Sequence, residues 1–229
     1  NCHISSLSTD YTIKGGKSVG GICGRAESND AENFIEECTA EVSVKGGDNT
    51  GGIVGEIHYH SESYLKVRSC GFKGKISGHN YVGGITGECP SQIIACKADA
   101  EISGSNYVGG ISGFRNHAPK VIACYSSGLI DCPANAVSGL IHCSAFYATC
   151  YLSYTTMSVG LTYSCQDCAT TSSTGGGTNV RTTCTDITTH LREAYSEYAD
   201  YWDFERTWIW TGEIDGKEVK VSCPKLKWE

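Results

Sequence analysis

Segments in which every second residue is apolar or small recur along the first two thirds of the chain. After Cys96, the residues Ala98, Ala100 and Ile102 alternate with charged residues, and the segment after Cys38 alternates in the same way. A period of two is typical of a β-strand that buries one face. A single strand cannot bury that face alone, so the pattern predicts that successive strands stack on one another.

The alternating segments belong to an internal repeat of about 26–32 residues that has two recurring blocks. One block starts with a cysteine and ends with a glycine, at 38–46, 70–78 and 96–104. The other reads Gly-Gly-Ile-x-Gly, at 20–24, 51–55, 83–87 and 109–113. The cysteine precedes the first glycine of the next block by 13 residues in three copies, whereas the return to the next cysteine varies in length. The variable part therefore contains the loops.

These features predict an all-β fold, a parallel β-solenoid (β-helix) of about five to six coils. We assign residues 1–168 to the solenoid, 169–185 to a polar Gly/Ser/Thr-rich loop and 186–229 to a small α+β cap. Glycines of the repeat are expected at corners with positive φ or at close backbone approaches. In-register stacking predicts two buried ladders, Ile53/Ile85/Ile111 and Val44/Ile76/Ile102/Ile130.

One cysteine of each repeat falls into a single predicted column. Parallel strands lie about 4.8 Å apart with their side chains side by side, whereas a disulfide prefers Cβ atoms about 3.8 Å apart and a χ3 near ±90°. We therefore predict stacked, buried free thiols that act as small apolar side chains. A redox role is the alternative, and burial opposes it. The predicted column comprises Cys2, Cys38, Cys70, Cys96, Cys124 and Cys150.

The C-terminal segment has a different pattern. Asp186 begins a predicted helix whose apolar face carries Leu191, Tyr195, Tyr198 and Trp202. Two strand-like segments, 207–211 and 217–222, then flank the turn formed by Asp215 and Gly216. A helix with a hairpin suits the covering of a solenoid's last coil. An aromatic platform for carbohydrate is the alternative.

The repeat resembles the GLUG-repeat family. The segments that carry the resemblance are 81–87 (Tyr-Val-Gly-Gly-Ile-Thr-Gly), 107–113 (Tyr-Val-Gly-Gly-Ile-Ser-Gly) and the linking segment 121–128. Such repeats occur in secreted or surface-anchored bacterial proteins, frequently of the Bacteroidetes type. The resemblance implies a secreted or cell-surface module that is stalk-like or adhesive. It implies a surface protein or glycan of a host or neighbouring cell as partner, and it brings no catalytic residues.

Charge and length exclude several classes of partner. The 229 residues include 18 basic and 25 acidic side chains, a formal net charge of −7 at pH 7. Nucleic acids and anionic membrane surfaces attract basic proteins, so the balance argues against both. No apolar run approaches the ~20 residues of a membrane-spanning helix. No signal peptide precedes Cys2, and we expect that a targeting segment has been removed or that the chain is part of a longer one.

Three groups of residues are candidates for chemistry. Cys165 and Cys168, with Cys184 and Cys223, superficially resemble a four-thiolate zinc site that lacks its second Cys-x-x-Cys arm. Disulfides, free thiols and zinc all remain open for them. Glu56, His58 and His60 alternate along one strand and are weak candidates for a divalent metal; a solvated outer face is the alternative. Tyr81 and Tyr107 occupy equivalent positions and are candidates for stacking along a glycan, or for packing a turn.

The leading functional hypothesis is a non-catalytic module for adhesion or structural spacing, with no cofactor and no metal. A carbohydrate-binding module is the second hypothesis, and a polysaccharide-degrading β-helix enzyme is the third. Neither a phosphate-binding loop nor a Gly-x-Ser-x-Gly elbow accompanies the glycines. Charged residues of the strands, such as Glu41, Lys73 and Asp99, are of mixed sign, which is typical of a solubilised surface.

Overall fold

The computed structural model describes residues 2–5, 11–28, 32–58, 65–89, 91–114, 120–122, 124–131, 138–141, 146–148, 151–158, 162–163, 169–170, 208–214 and 217–226. Every regular element in these ranges is a β-strand, and the strands of three sheets run parallel. The sheets together form an all-β, nearly closed arrangement that is compatible with a β-helix or solenoid. No helix in these ranges has the length and apolar character needed to cross a membrane.

The first sheet collects the cysteine blocks of successive repeats. The central strands pair in the order β6-β10-β14-β17-β20, and both β1 and β2 pair with β6. Its strands are β1 (Cys2–Ser5), β2 (Thr12–Lys14), β6 (Cys38–Lys45), β10 (Gly71–Ser77), β14 (Lys97–Ser103), β17 (Tyr125–Asp131), β20 (Tyr151–Ser158) and β22 (Ala169–Thr170).

The second sheet collects the strands on either side of the Gly-Gly-Ile turns, and the third sheet collects the segments that lead back to the next cysteine. The second sheet contains β3 (Val19–Gly20), β4 (Cys23–Ala26), β7 (Thr50–Gly51), β8 (Val54–Ile57), β11 (Asn80–Gly83), β12 (Thr86–Glu88), β15 (Asn106–Phe114), β18 (Ser138–Ile141) and β21 (Thr162–Tyr163). The third contains β5 (Asn33–Glu36), β9 (Leu65–Arg68), β13 (Ile93–Ile94), β16 (Lys120–Ile122) and β19 (Phe146–Ala148).

Both predicted aliphatic ladders are confirmed. In the first sheet, Ile76 is the register partner of Val44 and of Ile102, and Ile102 is the partner of Ile130. In the second sheet, the Ile53 N–H donates to the Ile85 carbonyl and the Ile85 N–H to the Ile111 carbonyl, each at 2.9 Å. All seven residues are buried. Together with Val67 and Ile93 of the third sheet they belong to one core.

The first and second sheets approach each other closely at the Gly-Gly-Ile turns. A Cβ built on Gly84 would overlap the carbonyl oxygen of Gly110 and would lie 2.6 Å from the Ala98 Cβ. A Cβ on Gly52 would overlap the ring of Phe72. The second glycine of the Gly-Gly-Ile turn is therefore required by close approach, since any side chain there would push the two sheets apart.

The corners are made by residues other than glycine, contrary to one of the two roles predicted for the glycines. Gly74, with a φ of 142°, is the only glycine of the described residues with positive φ. Left-handed backbone with φ between 51° and 58° occurs instead at two recurrent positions. One position precedes the cysteine block and the other precedes the Gly-Gly-Ile turn; their residues are Glu37, Ser69 and Ala95, and Ser18, Asn49, Tyr81 and Tyr107.

The C-terminal hairpin is present as predicted. Strands β23 (Trp208–Ile214) and β24 (Lys217–Leu226) pair antiparallel on either side of Asp215 and Gly216. The helix predicted to begin at Asp186 lies outside the described residues. Strand β22 of the first sheet lies in the segment that the sequence assigns to the polar loop.

We expect Gly84→Ala to lower the free energy of unfolding by about 1–3 kcal/mol or more, because the added methyl must displace the Gly110 carbonyl of the next repeat. Urea denaturation of the purified chain measures this change. The matched control is Ala95→Gly: Ala95 has a φ of 52°, where a residue with a Cβ is strained by roughly 1–2 kcal/mol. The Ala95→Gly substitution removes this strain, which offsets the larger conformational entropy that glycine loses on folding. Equal stability of the two variants would contradict the close-approach explanation.

Candidate functional site

A groove of about 560 Å³ lies on the outer face of the first sheet. It exists because Gly71 has no side chain, whereas its register partners Thr39 and Lys97 do. Outward-facing side chains of strands β1, β6, β10 and β14 line it, including His3, Glu41, Lys73, Lys97 and Asp99. Lys97 is only 9% exposed.

The charged side chains around this groove alternate in sign from one repeat to the next. Lys73 Nζ lies 2.8 Å from Glu41 Oε1, and Lys75 Nζ lies 2.7 Å from Glu101 Oε2. Each pair joins adjacent strands of the first sheet. These lysine and glutamate side chains therefore form ion pairs between neighbouring repeats. An ion pair at an exposed site stabilises a fold by about 0.2–1 kcal/mol.

The third sheet has the same arrangement on its outer face. Arg68 pairs with Glu36 and Lys66 pairs with Glu32. The Arg68 guanidinium also lies 3.9 Å from the centroid of the Phe34 ring. Contacts between a cation and an aromatic face add to the attraction between the two neighbouring strands. These charges connect neighbouring repeats through pairs of opposite sign.

Tyr81 and Tyr107 stack on each other at the corner that precedes the Gly-Gly-Ile turn. Their ring centroids are 5.1 Å apart and the ring planes differ by 17°. Each ring covers one face of the other, so the pair does not present two successive open platforms to a sugar. This contact is of the kind expected if the two tyrosines pack a turn. A role in glycan binding stays a prediction.

A ladder of side-chain amides runs beside these tyrosines. Asn106 Nδ2 donates to Asn80 Oδ1 at 2.9 Å, and Asn80 Nδ2 donates to Asp48 Oδ1 at 2.8 Å. Partial burial opposes ionisation of Asp48, but the hydrogen bonds from Asn80 and His79 outweigh it and hold its pKa below the ordinary value. The ladder satisfies polar groups at a corner where the backbone turns.

Glu56 lies beside one of the two histidines predicted with it and also contacts a serine from the preceding repeat. Its Oε2 accepts a hydrogen bond of 2.5 Å from Ser18 Oγ, and its Oε1 lies 3.6 Å from His58 Nδ1. Its register partner is Glu88, which also accepts a hydrogen bond of 3.1 Å from Asn49 Nδ2. His60 lies outside the described residues. In the part of the chain that the structure describes, no group of three or more His, Cys, Asp or Glu residues is placed to hold a metal ion.

The environment shifts the pKa values of Glu56 and Glu88 in opposite directions. Burial alone raises the pKa of Glu56, but hydrogen bonds from Ser18 and Asn49 and the charge of Arg25 hold it below the ordinary value. Burial and the charge of Glu56 raise the pKa of Glu88 above its ordinary value. Sequence reasoning missed Glu88, although Gly-Gly-Ile-x-Gly is followed by glutamate at both Glu56 and Glu88.

The cysteines occupy equivalent positions of successive repeats. Cys2 is the register partner of Cys38, and the Cys96 N–H donates to Cys124 Sγ at 3.4 Å. The thiols are free, and those of Cys38, Cys70, Cys96 and Cys124 are buried. Cys2 was expected to be buried but is exposed; among the described strands, β1 pairs with β6 alone. Cys150 lies outside the described residues.

Each buried thiol of the described column donates to a backbone carbonyl. Cys70 Sγ donates to the Arg68 carbonyl at 3.2 Å, and Cys96 Sγ donates to the Ile94 carbonyl at 3.3 Å. Desolvation, followed by the hydrogen bond with Cys124, raises the pKa of Cys96 well above its ordinary value. A high pKa disfavours the thiolate, which is the reactive form. The column is therefore poorly suited to nucleophilic or redox chemistry.

The remaining cysteine candidates lie outside the described side chains. Cys165, Cys168 and Cys184 fall outside the described residues, and Cys223 lies on strand β24. Their pairing as disulfides, as free thiols or around zinc stays a prediction.

Comparison of the chain with models of protein families, with curated proteins and with solved structures finds no match.

We expect stability to fall as pH rises above the ordinary thiol pKa of 9.0. The folded-state pKa of Cys96 is raised, so the folded chain keeps a proton that the unfolded chain loses above that pH. The contribution is complete below pH 9.0 and is lost progressively above it. Urea denaturation from about pH 7 to pH 10 should show a smaller decline in Cys96→Ala, by up to about 1.4 kcal/mol per pH unit. Cys96→Ser serves as a second non-ionising variant, and an unchanged decline in both would contradict the assignment.

Proposed function

We propose that this chain is a non-catalytic, extracellular or cell-surface repeat module that serves adhesion or structural spacing. The observation that carries the proposal is the in-register stacking of repeats through three parallel sheets. Residues that recur in the sequence are used for contacts between repeats: the aliphatic ladders, the thiol column, the amide ladder and the alternating ion pairs. A stack of this kind forms a stiff rod, which is a suitable spacer.

The finer architecture that we propose is a parallel β-solenoid of about five to six coils with a C-terminal cap. The last coil of a solenoid exposes apolar interior and an unpaired strand edge, and both need a cover. The hairpin of β23 and β24, together with the helix predicted in 186–202, is the candidate cover. Its tryptophans supply the apolar area that such a contact needs.

The resemblance to the GLUG-repeat family supports a secreted or surface-anchored location. Free thiols are at risk of oxidation in an extracellular setting. Burial and a raised pKa protect Cys70 and Cys96 from that chemistry. A column of protected thiols is thus compatible with the proposed location. The proposed partner is a protein or glycan on the surface of a host or neighbouring cell.

We expect beads coated with the purified chain to be retained under flow on mucin-coated, fibronectin-coated or epithelial-cell surfaces. Beads coated with albumin set the baseline. The same preparation should release neither reducing ends nor unsaturated products from uronate polysaccharides. Retention at the albumin baseline on all three surfaces, or measurable release of products, would count against a non-catalytic adhesive module.

A carbohydrate-binding module is the second candidate, and the groove around Gly71 is the observation that favours it. The groove has charged and polar walls, formed by outward-facing side chains of four strands. A small number of directed polar groups fixes the orientation of a ligand in a binding site. The nearly buried Lys97 would favour a saccharide that carries a carboxylate.

We expect Lys97→Met to weaken binding of the chain to acidic saccharides on a glycan array by at least roughly tenfold, the equivalent of one charge-assisted hydrogen bond. Methionine retains the unbranched stem of lysine but removes its charge. The control is Lys75→Met, which removes an exposed lysine of the same sheet that pairs with Glu101 outside the groove. Absence of binding to every saccharide, or equal losses in the two variants, would reject this candidate.

A further inference from the structure

A column of buried thiols, called the thiol column below, runs through the core with one thiol from each successive repeat. Its described buried members are Cys38, Cys70, Cys96 and Cys124. Neighbouring thiols interact directly, since Cys70 is a hydrogen-bond partner of both Cys38 and Cys96. The mechanism of adhesion or spacing leaves these sulfur atoms without a chemical role, although sulfur in this arrangement has one available.

The sulfurs of the thiol column are evenly spaced because each makes the same contact with the preceding repeat. Cys70 Sγ lies 3.5 Å from the carbonyl oxygen of Ile35. Cys96 Sγ makes the equivalent contact with Val67, at 3.7 Å. Adjacent parallel strands lie about 4.8 Å apart. Side chains that repeat the same contacts repeat this spacing, so successive sulfurs are also separated by about one strand spacing.

Each sulfur also has a backbone N–H directed at it. The Cys96 N–H donates to Cys124 Sγ at 3.4 Å. The backbone of Cys70 makes the equivalent hydrogen bond to Cys96, and the backbone of Cys38 makes it to Cys70. A donor of this kind stabilises negative sulfur more than neutral thiol, and N–H groups directed at sulfur tune metal–thiolate centres. The backbone is therefore arranged to support a sulfur that has lost its proton to a metal ion.

Loss of the thiol proton leaves no carbonyl unpaired at the positions where the contacts are known. Cys70 Sγ donates to the Arg68 carbonyl, and that carbonyl also accepts the Glu37 N–H at 3.2 Å. The same arrangement is repeated one repeat later, around Cys96. Buried carbonyls need one hydrogen-bond partner, and the backbone N–H remains after the proton has left. The fold can therefore exchange thiol protons for other cations without breaking its strand pairing.

We propose that the thiol column binds soft monovalent cations, with Cu⁺ as the preferred ion, each held in line between two successive sulfurs. Thiolate sulfur is a preferred ligand of Cu⁺, which also accepts two ligands in a straight line. Two in-line metal–thiolate bonds of about 2.3 Å span about 4.6 Å, close to the strand spacing. The site goes beyond the proposed function and does not depend on it.

The exchange keeps the buried column uncharged. Each Cu⁺ forms one bond to a sulfur that gives up its proton to solvent, and it accepts a lone pair from the next sulfur along the column. One positive charge enters for each one that leaves, so no net charge is buried. The raised pKa of Cys96 does not oppose this step, because the sulfur passes from proton to metal and is never a free thiolate.

The geometry disfavours other metal ions. Zn²⁺ takes four ligands in a tetrahedron, whereas a straight column offers two sulfurs at each position. This agrees with the described residues, among which no group of three or more potential ligands is placed to hold a metal. Ca²⁺ and Mg²⁺ require oxygen ligands. Because the thiols are buried, water is not available to complete a larger coordination shell.

The thiol column is accessible from the side of the first repeat. Cys2 is exposed and is the register partner of Cys38. An ion bound by Cys2 can pass to Cys38 by forming one metal–sulfur bond as another breaks, and the same exchange leads on to Cys70. We therefore expect Cys2→Ser to slow the uptake of Cu⁺ while the final amount bound between the buried thiols stays the same.

The test is titration of the reduced full chain with Cu⁺ under nitrogen, against bicinchoninate as a competing chelator. Charge-transfer absorption of copper–thiolate bonds in the ultraviolet measures the Cu⁺ that the chain retains. The chain has 14 cysteines, so variants assign the retained ions. We expect Cys96→Ser to lose both ions that Cys96 shares with Cys70 and with Cys124. Cys96→Ala should lose the same ions, and circular dichroism of both variants verifies the fold.

The matched control is Cys89→Ser, which removes a buried thiol that follows β12 and lies outside the thiol column; it should retain the ions that Cys96→Ser loses. X-ray absorption of the loaded chain should show two sulfur neighbours for each copper, at about 2.3 Å. Retention of no Cu⁺ against the chelator would overturn the proposal. So would equal retention in Cys96→Ser and Cys89→Ser, or a shell of three or more ligands around the copper that Cys96→Ser removes.

Discussion

The narrow gap between the first and second sheets constrains the rest of the structure. At Gly84 the Gly110 carbonyl of the next repeat and the Ala98 side chain of the first sheet leave no room for a Cβ, and at Gly52 the Phe72 ring fills the corresponding space. Because the gap is this narrow, the strands of each repeat must lie directly over those of the previous one. A shift of the strand register by one residue would bring a side chain into the gap. Close approach therefore enforces the register on which every ladder depends.

In-register stacking has a chemical consequence, because equivalent residues of successive repeats become neighbours. Apolar and uncharged residues benefit from this arrangement: isoleucines pack, thiols stack and amides donate to one another. Charged residues do not benefit if their signs are equal. At several positions of the first and third sheets, lysine or arginine therefore faces glutamate of the neighbouring strand. Register partners of equal sign also occur, such as Lys14 with Lys45 and Glu56 with Glu88, and the buried Asn49 donates a hydrogen bond to Glu88.

Much of the fold was predictable from the repeat. Alternation with a period of two predicted the strands of the first sheet, and the constant spacing between blocks predicted which isoleucines would be partners. The role of the glycines was only half predicted, because positive φ occurs at Asn49, Tyr107 and Ala95 and not at the turn glycines. Local sequence carries little information on that choice, since a corner residue is forced into left-handed backbone by the strands on either side of it.

The amino-acid sequence by itself determined the strands, their parallel order and the residues that stack, because a short repeat encodes both period and register. The proximity of Ser18, Asn49, Glu56 and Glu88 was decided by the tertiary structure alone. These residues belong to three repeats and lie on both sides of the Gly-Gly-Ile turn. Their separation along the sequence therefore does not indicate how close they are in space. The burial of Asn49 Oδ1 and the groove above Gly71 likewise exist only after neighbouring strands have been brought together, since both depend on side chains that adjacent repeats supply.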